Sequence, residues 1–372
     1  MMNAASTLLL VTFATATSAL ATCSFIKVAP ALALLDSPGG RKAHAQPIPL
    51  VGGISIFITL LLISALAGIL LTASYLLFAI SLVISIGLWD DVMEISPRLK
   101  FAIQIVACAV MIFGAGIELR SVGDLLGWRP IGLSILIIPM TVFAVVGVVN
   151  SINMMDGMDG LAGSISFVAF AWYALVAKSS GLTVQFDTAL IFCGAIAGFL
   201  LFNLRFPWQK HAKVFLGDAG SLMIGFTLGW YAIDLTQGLD RTFPPIAALW
   251  VVVLPLADCV SIMSRRVRAG RSPFVADRHH LHHYLLARGF THGQTLGTLV
   301  ALSALFGAVG YYGWRLNVPE AVLFYPFFFG FFAYHFWIQR AWKKLEHAKL
   351  TEAETRMFAP AIAEDEEQPV SV

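Results

Sequence analysis

Long apolar stretches separated by short polar loops run along almost the whole chain. A helix of roughly 20 apolar residues crosses the hydrocarbon core of a bilayer and satisfies its own backbone hydrogen bonds there. The pattern therefore predicts an all-α, polytopic integral membrane protein with about 11 transmembrane helices. The predicted spans are 4–30, 48–71, 73–89, 99–117, 131–149, 160–178, 184–204, 214–234, 243–262, 294–312 and 319–342.

The first apolar stretch has two interpretations, a signal peptide or an uncleaved span. A signal peptide carries a basic region before a short apolar region. Here no Lys or Arg precedes Lys27, and the apolar run is long and leads directly into a charged motif. We therefore predict an uncleaved first span.

The composition strengthens the membrane assignment. Of the 372 residues, 58% are apolar and 12% are charged, the mean hydropathy is +0.80 and the net charge is +2. Because globular chains carry about a quarter charged residues, a soluble enzyme, a disordered chain and a nucleic-acid binder with a basic face are excluded. The four cysteines have no metal-binding or redox spacing, and we interpret them as packing residues.

The basic residues predict the orientation of the spans. Cytoplasmic loops of membrane proteins carry an excess of Lys and Arg. If the N-terminus is outside, 19 of the 24 basic residues fall on the inside. The five on the outside are Arg120, Arg129, Lys178, Arg241 and Arg315. We therefore predict an outside N-terminus and a cytoplasmic C-terminus.

The chain is predicted to form one domain with a short tail. A single multi-span domain covers residues 1–350, because no repeat or soluble insertion interrupts the spans. From about Thr351 the chain loses its periodicity and becomes acidic at 364–367. Such a composition cannot bury a core, so residues 351–372 are predicted to be an acidic, disordered cytoplasmic tail.

Polar residues gather in five clusters on the predicted inside face, whereas the outside loops carry only scattered charges. The clusters are DSPGGRKAH at 36–44, WDD at 89–91, NSINMMDGMDG at 150–160, FLGDAGS at 215–221 and ADRHHLHH at 276–283. Five clusters at one membrane–water boundary suggest one composite site.

Five aspartates in these clusters are candidates for metal binding or catalysis. Asp90 and Asp91 end an apolar helix, where two adjacent negative charges need a cation. Asp156 and Asp159 lie three residues apart, so a helical turn would place them on one face. Asp218 lies in GDAGS. Each cluster alone has a simpler interpretation, as solvated charges or helix caps, but together they form the oxygen-rich environment that Mg²⁺ prefers.

Four histidines fall within five residues and follow a run of arginines. They are His279, His280, His282 and His283. We interpret the cluster as a cradle for an anionic group, because Arg and His donate hydrogen bonds to phosphate oxygens. A basic patch on anionic lipid and a zinc site are the alternatives.

Some polar residues lie at or inside the ends of the predicted spans. Asn150, Asn153 and Asn203 need partners for their amides, which a nucleotide, a sugar or a neighbouring helix would supply. Asp258 is an intramembrane charge, for which a nearby arginine is one candidate partner.

Taken in order, the motifs resemble those of the polyprenyl-phosphate N-acetylhexosamine-1-phosphate transferase family (glycosyltransferase 4 type). The motifs are DSPGGRKAHAQPIPLVGG, GLWDD, NSINMMDGMDGLAG, VFLGDAGS and PFVADRHHLHH, and the resemblance spans roughly residues 36–290. The stretch PLADCVSIMSRRVRAGRSPFVADRHHLHH is most similar to the branch that begins O-antigen and common-antigen synthesis. The phospho-N-acetylmuramoyl-pentapeptide branch has three successive histidines and fits less well. His279 is an addition to the family's HxHH pattern.

The resemblance implies an enzyme of the bacterial inner membrane whose active site faces the cytoplasm. Undecaprenyl phosphate would attack the β-phosphorus of a UDP-N-acetylhexosamine, with N-acetylglucosamine the favoured sugar, and UMP would leave. The implied cofactor is Mg²⁺ or Mn²⁺. The implied partners are the two substrates and the lipid bilayer, without nucleic acid and with a homodimer as one option for the oligomeric state.

The resemblance also implies roles for individual residues. Asp90, Asp91, Asp156 and Asp159 match the family's catalytic acids, and Asp218, together with Asp90 and Asp91, matches its metal-binding acids. The implied substrate-binding residues are Lys42, Asn153, Asn203, Arg265, His280, His282 and His283. Because a lipid phosphate is already largely ionised at neutral pH, we expect the acids to coordinate metal and position groups more than to abstract a proton.

A transporter or flippase of a polar or anionic solute is the main alternative function. A transporter would place polar groups near the midplane and on both sides, whereas here they gather at one interface. An intramembrane zinc hydrolase would need HExxH-type spacing, which the sequence lacks. A membrane-anchored scaffold would not need paired carboxylates.

Overall fold

The computed structural model describes residues 4–37, 46–238, 243–273 and 279–365, with side chains described as far as residue 347. Within these ranges the protein is helical apart from one two-stranded hairpin, turns, and irregular loops such as residues 115–133 and 204–216. Eight helices are long and apolar enough to cross a membrane, or up to nine if one bent helix pair forms a single span. The prediction of an all-α, polytopic membrane protein is confirmed.

The helices follow one another through mostly short connections. Their bounds are α1 Ala4–Val28, α2 Gly52–Leu66, α3 Ser74–Val92, α4 Pro97–Ala109, α5 Ile137–Met155, α6 Leu161–Ser179, α7 Thr183–Asn203, α8 Gly217–Asp234, α9 Pro245–Val251, α10 Val253–Arg268, α11 Leu281–Ala287, α12 His292–Arg315 and α13 Glu320–Asp365. A π-helical turn, Val110–Gly114, continues α4, and a 3₁₀ turn, Ser134–Leu136, precedes α5. The hairpin pairs β1, Leu35–Asp36, with β2, Ile48–Pro49.

Each of the predicted spans contains a helix, but α2 and α8 fall short of the criteria for a span. α2 has only 15 residues, and α8, with 18 residues, is not among the helices apolar enough over that length to cross a membrane. Most of the residues of α8 are buried by other helices. A helix that contacts protein instead of lipid needs no continuous apolar surface, which explains its composition.

The ninth predicted span, 243–262, differs from a single straight helix. α9 and α10 meet at Val252 and are bent by 82°. Pro255 has no N–H to donate to the carbonyl of Val251 four residues earlier, so a regular helix is interrupted here. The bend directs α10 along a different axis from α9.

Glycines allow α8 to pack closely against two neighbouring helices near its N-terminus. A Cβ atom added to Gly53 of α2 would lie 2.3 Å from the backbone nitrogen of Gly220. A Cβ atom added to Gly87 of α3 would lie 2.4 Å from the Cα of Ala219. Small residues permit this kind of approach between membrane helices. They bring the first turn of α8 to the last turns of α3.

The hairpin fixes the segment that leads into α8. The backbone N–H of Phe215 donates to the carbonyl of Pro49 at 2.9 Å, and the N–H of Gly52 donates to the carbonyl of Phe215 at 3.0 Å. The carbonyl of Leu216 accepts from the N–H of Gly53 at 3.0 Å. These three backbone hydrogen bonds set the position at which α8 begins.

The C-terminal helix extends past the predicted start of the tail. α13 continues to Asp365, whereas the tail is predicted to begin at residue 351. Residues 366–372 and the side chains from 348 onward lie outside the described part of the chain. The division into a domain of residues 1–350 and a disordered tail stays a prediction.

Gly87→Ala tests the close contact between α3 and α8. The added methyl group would meet the backbone of α8, so we expect a loss of stability of about 1–3 kcal/mol. This loss would appear as a lower midpoint of thermal unfolding, measured in detergent by fluorescence-detected size-exclusion chromatography.

Gly147→Ala is the matched control. Gly147 lies inside α5 with open space around its Cβ position, and alanine favours a helix over glycine by about 0.5–1 kcal/mol. Its midpoint should be unchanged or higher. Equal midpoints for the two variants would contradict the contact.

Candidate active site

The predicted site residues that the structure describes lie at one end of the helix bundle. α3, α5 and α7 end there, and α4, α6 and α8 begin there. Hydrogen bonds at this end join residues as far as 128 positions apart along the chain. The structure therefore brings acids from different motifs into one site.

Asp91 holds the first turn of α8. Its two carboxylate oxygens accept the backbone N–H groups of Asp218 at 2.8 Å and of Ala219 at 3.1 Å. The first N–H groups of a helix have no carbonyl partner within the helix, and the helix dipole favours a negative charge there. Gly217 precedes them with a φ of +74°, and a Cβ on it would lie 2.6 Å from Asp91 Oδ2. Asp91 therefore positions Asp218.

Lys100, which the sequence reasoning did not include in the site, joins two of the acids. Its Nζ lies 2.5 Å from Asp90 Oδ2 and 2.7 Å from Asp218 Oδ2. The other oxygen of Asp90 accepts the backbone N–H of Ile95 at 2.9 Å. The ammonium group offsets the repulsion between two partly buried carboxylates. A lysine at the predicted inside end of an apolar helix, ten residues after Asp90, was the available signal.

Asn153 completes the surroundings of Asp218. Its Nδ2 donates to Asp218 Oδ1 at 3.0 Å and to Ser221 Oγ at 2.9 Å. Asn153 occupies the last turn of α5, which extends beyond the predicted end at residue 149. Asn150, one turn earlier, donates to the carbonyl of Val146 at 2.8 Å. A role of Asn153 in substrate binding stays a prediction.

The loop that carries Asp156 and Asp159 is not helical, so the expectation of a shared helical face is wrong. The chain leaves α5 before Asp156 and turns into α6 at Gly160, whose φ is +78°. Asp159 Oδ2 accepts from Arg205 Nε at 2.7 Å and from the backbone N–H of Ala212 at 3.2 Å. Asp159 thus ties its loop to the segment after α7.

Asn203 also joins the loop before α6 to the segment after α7 by hydrogen bonds. Its Oδ1 accepts the backbone N–H of Gly160 at 2.8 Å, and its Nδ2 donates to the carbonyl of Val214 at 2.8 Å. The residue is buried. Of the two interpretations of this amide, the contact within the protein is the one that the geometry describes, and a contact with substrate stays a prediction.

Asp156 lies beside the other acids. Burial, followed by the negative charges of Asp218, Asp91 and Asp159, raises the pKa of Asp156 to about 8. One side of Asp156 remains exposed to solvent. A cation bound at this place would lower the pKa again.

His282 brings the histidine cluster to the acid loop, which is the connection of residues 156–160 between α5 and α6. Its ring is fully buried, and neither ring nitrogen has a hydrogen-bond partner among the described residues. Burial, followed by the neighbouring His283 and His280, lowers the pKa of His282 well below its usual value. A Cβ on Gly157 would lie 2.9 Å from His282 Nε2. A buried imidazole without partners beside the acid loop is a position where a ligand would supply the missing hydrogen bonds.

The rest of the histidine cluster contacts α10 and α13. His280 Nδ1 lies 2.8 Å from Asp258 Oδ2. His279 Nε2 lies 2.9 Å from Glu346 Oε1, which gives this unassigned residue a partner on α13. Arg265 and His279 both line a small cavity between α10 and α13. Arg265 therefore lies beside the histidine loop, residues His279 to His283. Its contact with substrate stays a prediction.

The acids fit a divalent metal by their chemistry. Within the described ranges no three His, Cys, Asp or Glu side chains are already arranged to hold an ion, and Lys100 lies between Asp90 and Asp218. Magnesium is usually held by one or two carboxylates together with water and substrate phosphates. Asp218 with Asp90 or Asp156 supplies that number of carboxylates. Lys42, the remaining predicted substrate contact, lies outside the described residues.

Comparison with known proteins gives matches over most of the chain. Residues 73–236 match glycosyl transferase family 4. The undecaprenyl-phosphate alpha-N-acetylglucosaminyl 1-phosphate transferase of Haemophilus influenzae is 38% identical over 313 residues, which cover 84% of this chain and 88% of that protein. Proteins of the same name from Salmonella typhi and Escherichia coli are 36% identical over 319 residues, which cover 85% of this chain and 87% of theirs.

Asp91→Asn tests whether Asp91 holds the first turn of α8. An amide offers one acceptor oxygen where the carboxylate offers two, so at least one N–H of α8 loses its partner, at a cost of about 1–3 kcal/mol. We expect a lower midpoint of thermal unfolding. Glu94→Gln, a change at an exposed acid three residues later, is the control and should leave the midpoint in place. A stable Asp91→Asn variant would contradict the assignment.

Proposed function

Because the chain belongs to glycosyl transferase family 4, we propose that it transfers N-acetylglucosamine 1-phosphate from UDP-N-acetylglucosamine to undecaprenyl phosphate. UMP is released, and the lipid diphospho-sugar enters O-antigen, common-antigen or related cell-envelope glycan synthesis. The observation that carries the proposal is the 38% identity to a relative named for this transferase, over 88% of that relative. The convergence of acids and histidines at one end of the bundle supports it.

The transporter alternative is not favoured. A pathway for a polar solute would place polar groups near the midplane. Here the charged side chains of the Lys100 ion pairs sit at the ends of α3, α4 and α8, where Lys100 of α4 joins Asp90 to Asp218. The named relatives are transferases as well.

The proposed topology has 11 spans, an outside N-terminus and a cytoplasmic C-terminus in the bacterial inner membrane. In this topology α2 and α8 cross the bilayer inside the bundle, and α9 with α10 forms one broken span. The excess of Lys and Arg on one side supports the orientation. The active site then faces the cytoplasm, where UDP-sugars are made.

The reaction needs no nucleophile from the protein. A phosphate oxygen of the lipid forms a bond to the β-phosphorus, the bond from that phosphorus to the bridging oxygen breaks, and the electron pair leaves with UMP. Phosphoryl transfer depends mainly on positioning and charge neutralisation. Lys100 reduces the repulsion between the acids and the anionic substrates, and the histidine cluster donates hydrogen bonds to phosphate oxygens.

We further propose that Mg²⁺ or Mn²⁺ is held by Asp218 with Asp90 or Asp156 and by phosphate oxygens of the substrate. Such an ion, when bound, neutralises charge on the transferring phosphoryl group. Asp91 and Asp159 have backbone or arginine partners, so we assign them to holding α8 and the loop after α5. Lys42 and Arg265 remain proposed substrate contacts.

Purified protein incubated with undecaprenyl phosphate and a panel of UDP-sugars tests the function. We expect UMP release and a lipid product whose mass equals undecaprenyl diphosphate plus N-acetylglucosamine, with UDP-N-acetylglucosamine the best donor. A different sugar as the best donor would correct the substrate. Absence of any lipid-linked product, together with solute counterflow in sealed vesicles, would favour the transporter.

Three variants test the acid cluster, which is formed by Asp90, Asp91, Asp156, Asp159 and Asp218. They are Asp90→Asn, Asp156→Asn and Asp218→Asn. Each removes a negative charge from the site, so we expect UMP release to fall to background while expression and the thermal midpoint stay close to those of the unchanged protein. Asp234→Asn is the control, since Asp234 ends α8 at the opposite end of the bundle, and it should retain activity. Full activity in any of the three variants would remove that residue from the site.

A further inference from the structure

Asp258 of α10 is a buried acid outside the acid cluster, and its hydrogen bonds join three parts of the chain. The residue is 2% exposed. Its Oδ2 lies 2.8 Å from His280 Nδ1, and its Oδ1 accepts the backbone N–H of Leu281 at 3.0 Å. The hydroxyl of Tyr334 on α13 donates to the same Oδ1 at 2.7 Å.

Such a carboxylate is costly to bury, so it requires an explanation beyond packing. An apolar residue would fill the space between α10 and α13 at lower cost. Asp258 instead contacts His280 and Leu281, the two residues at which α11 begins. Tyr334 adds a third hydrogen bond from the opposite side. The arrangement fixes the start of the histidine loop relative to α10.

The carboxylate also selects the tautomer of His280. An ionised carboxylate only accepts hydrogen bonds, so His280 Nδ1 must carry a proton, and in this tautomer Nε2 is left as a hydrogen-bond acceptor. The His280 ring is 5% exposed and stacks on the ring of His282 with their centroids 5.3 Å apart. His282 in turn lies against Gly157 of the acid loop. The orientation of the His280 ring therefore affects the position of His282 beside the acid loop.

α13 supports the same loop at further points. His279 pairs with Glu346, and the ring of Tyr284 packs edge-on against Trp337 and Trp342 with centroids 5.5 and 5.7 Å apart. These contacts come from a helix that lies well beyond residues 73–236, the part of the chain that matches the family. The C-terminal helix α13 therefore packs against the histidine loop and stabilises its position.

We propose that Asp258, held by Tyr334, is a positioning residue that fixes the tautomer of His280 and directs its Nε2, as a hydrogen-bond acceptor, toward a donor group of the substrate. The proposal rests on the proposed function, because UDP-N-acetylglucosamine is taken as the ligand of the histidine cluster. His280 contacts the ligand, and Asp258 acts through His280.

Asp258→Asn tests the proposal with a side chain of the same shape. If the amide oxygen keeps Leu281 and Tyr334 as partners, the amide N–H faces His280 Nδ1 and forces the other tautomer. We expect kcat/KM for UDP-N-acetylglucosamine to fall about 10- to 100-fold, the range found when a group that orients a functional histidine is changed. Tyr334→Phe should lower it less, in the same direction.

A double-mutant cycle separates positioning from a general loss of structure. In a His280→Gln background, whose residual activity a radiolabelled donor would measure, Asp258→Asn should lower kcat/KM by no more than about 2-fold, because its effect passes through the missing ring. The same fold-loss in both backgrounds, or near-normal kcat/KM for Asp258→Asn alone, would overturn the proposal.

Tyr173→Phe is the control for Tyr334→Phe. The hydroxyl of Tyr173 donates to the carbonyl of Ala248 at 3.3 Å, away from the histidine loop. Its loss should leave kcat/KM within about 2-fold, as expected for a site with no shared partner. An equal loss in the two tyrosine variants would count against the special role of Tyr334.

A spectroscopic measurement tests the pair without turnover. In ¹⁵N-histidine-labelled protein in nanodiscs, we expect a protonated Nδ1 for His280, identified by its disappearance in His280→Gln and altered in Asp258→Asn. Tyr334→Phe provides the same test if Asp258→Asn does not fold. A His280 signal that neither change affects would overturn the proposal. An inactive unchanged protein would contradict the proposed function alone, because these signals do not require catalysis.

Discussion

The contact between the end of α3 and the start of α8 is the interaction on which the site depends. Asp91 accepts two N–H groups that no residue of α8 can satisfy, and its neighbour Asp90 shares Lys100 with Asp218. This geometry requires the two helix backbones to touch, which Gly87 permits. The close packing at Gly87, the hydrogen bonds of Asp91 and the ion pair with Lys100 together fix the position of the Asp218 carboxylate.

The electrostatics of this contact explain why the site suits anionic substrates and a divalent cation together. Lys100 compensates part of the negative charge, but burial and then the remaining acids still raise the pKa of Asp156. The proposed divalent ion would relieve this repulsion and link the acids to phosphate oxygens. His282, beside Gly157 of the acid loop, is buried without a partner among the described residues. The acid loop thus adjoins both the acids proposed to hold a cation and a histidine that a ligand would satisfy.

The sequence predicted the helices better than the contacts between the site residues. Apolar length alone located the helices, and Asp90 and Asp91 do end α3. The predicted span 214–234 contains α8, although most of its residues are buried by other helices. The spacing of Asp156 and Asp159 suggested a helix, but glycine and the bond to Arg205 favour a turn. Lys100 was missed although it follows Asp90 by ten residues at the predicted inside end of a helix. Tyr334 was missed because its partner Asp258 lies 76 positions away along the chain.

The position of the metal ion provides the most direct test of the central claim, that acids from distant motifs form one cation site at the start of α8. Anomalous scattering at the manganese edge, from crystals grown with Mn²⁺ and UDP-N-acetylglucosamine, would locate the ion. We expect one peak bounded by Asp218 and by Asp90 or Asp156, with the diphosphate between it and the histidine loop. A manganese peak held by the histidines alone, or a nucleotide bound without manganese near Asp218, would contradict the claim.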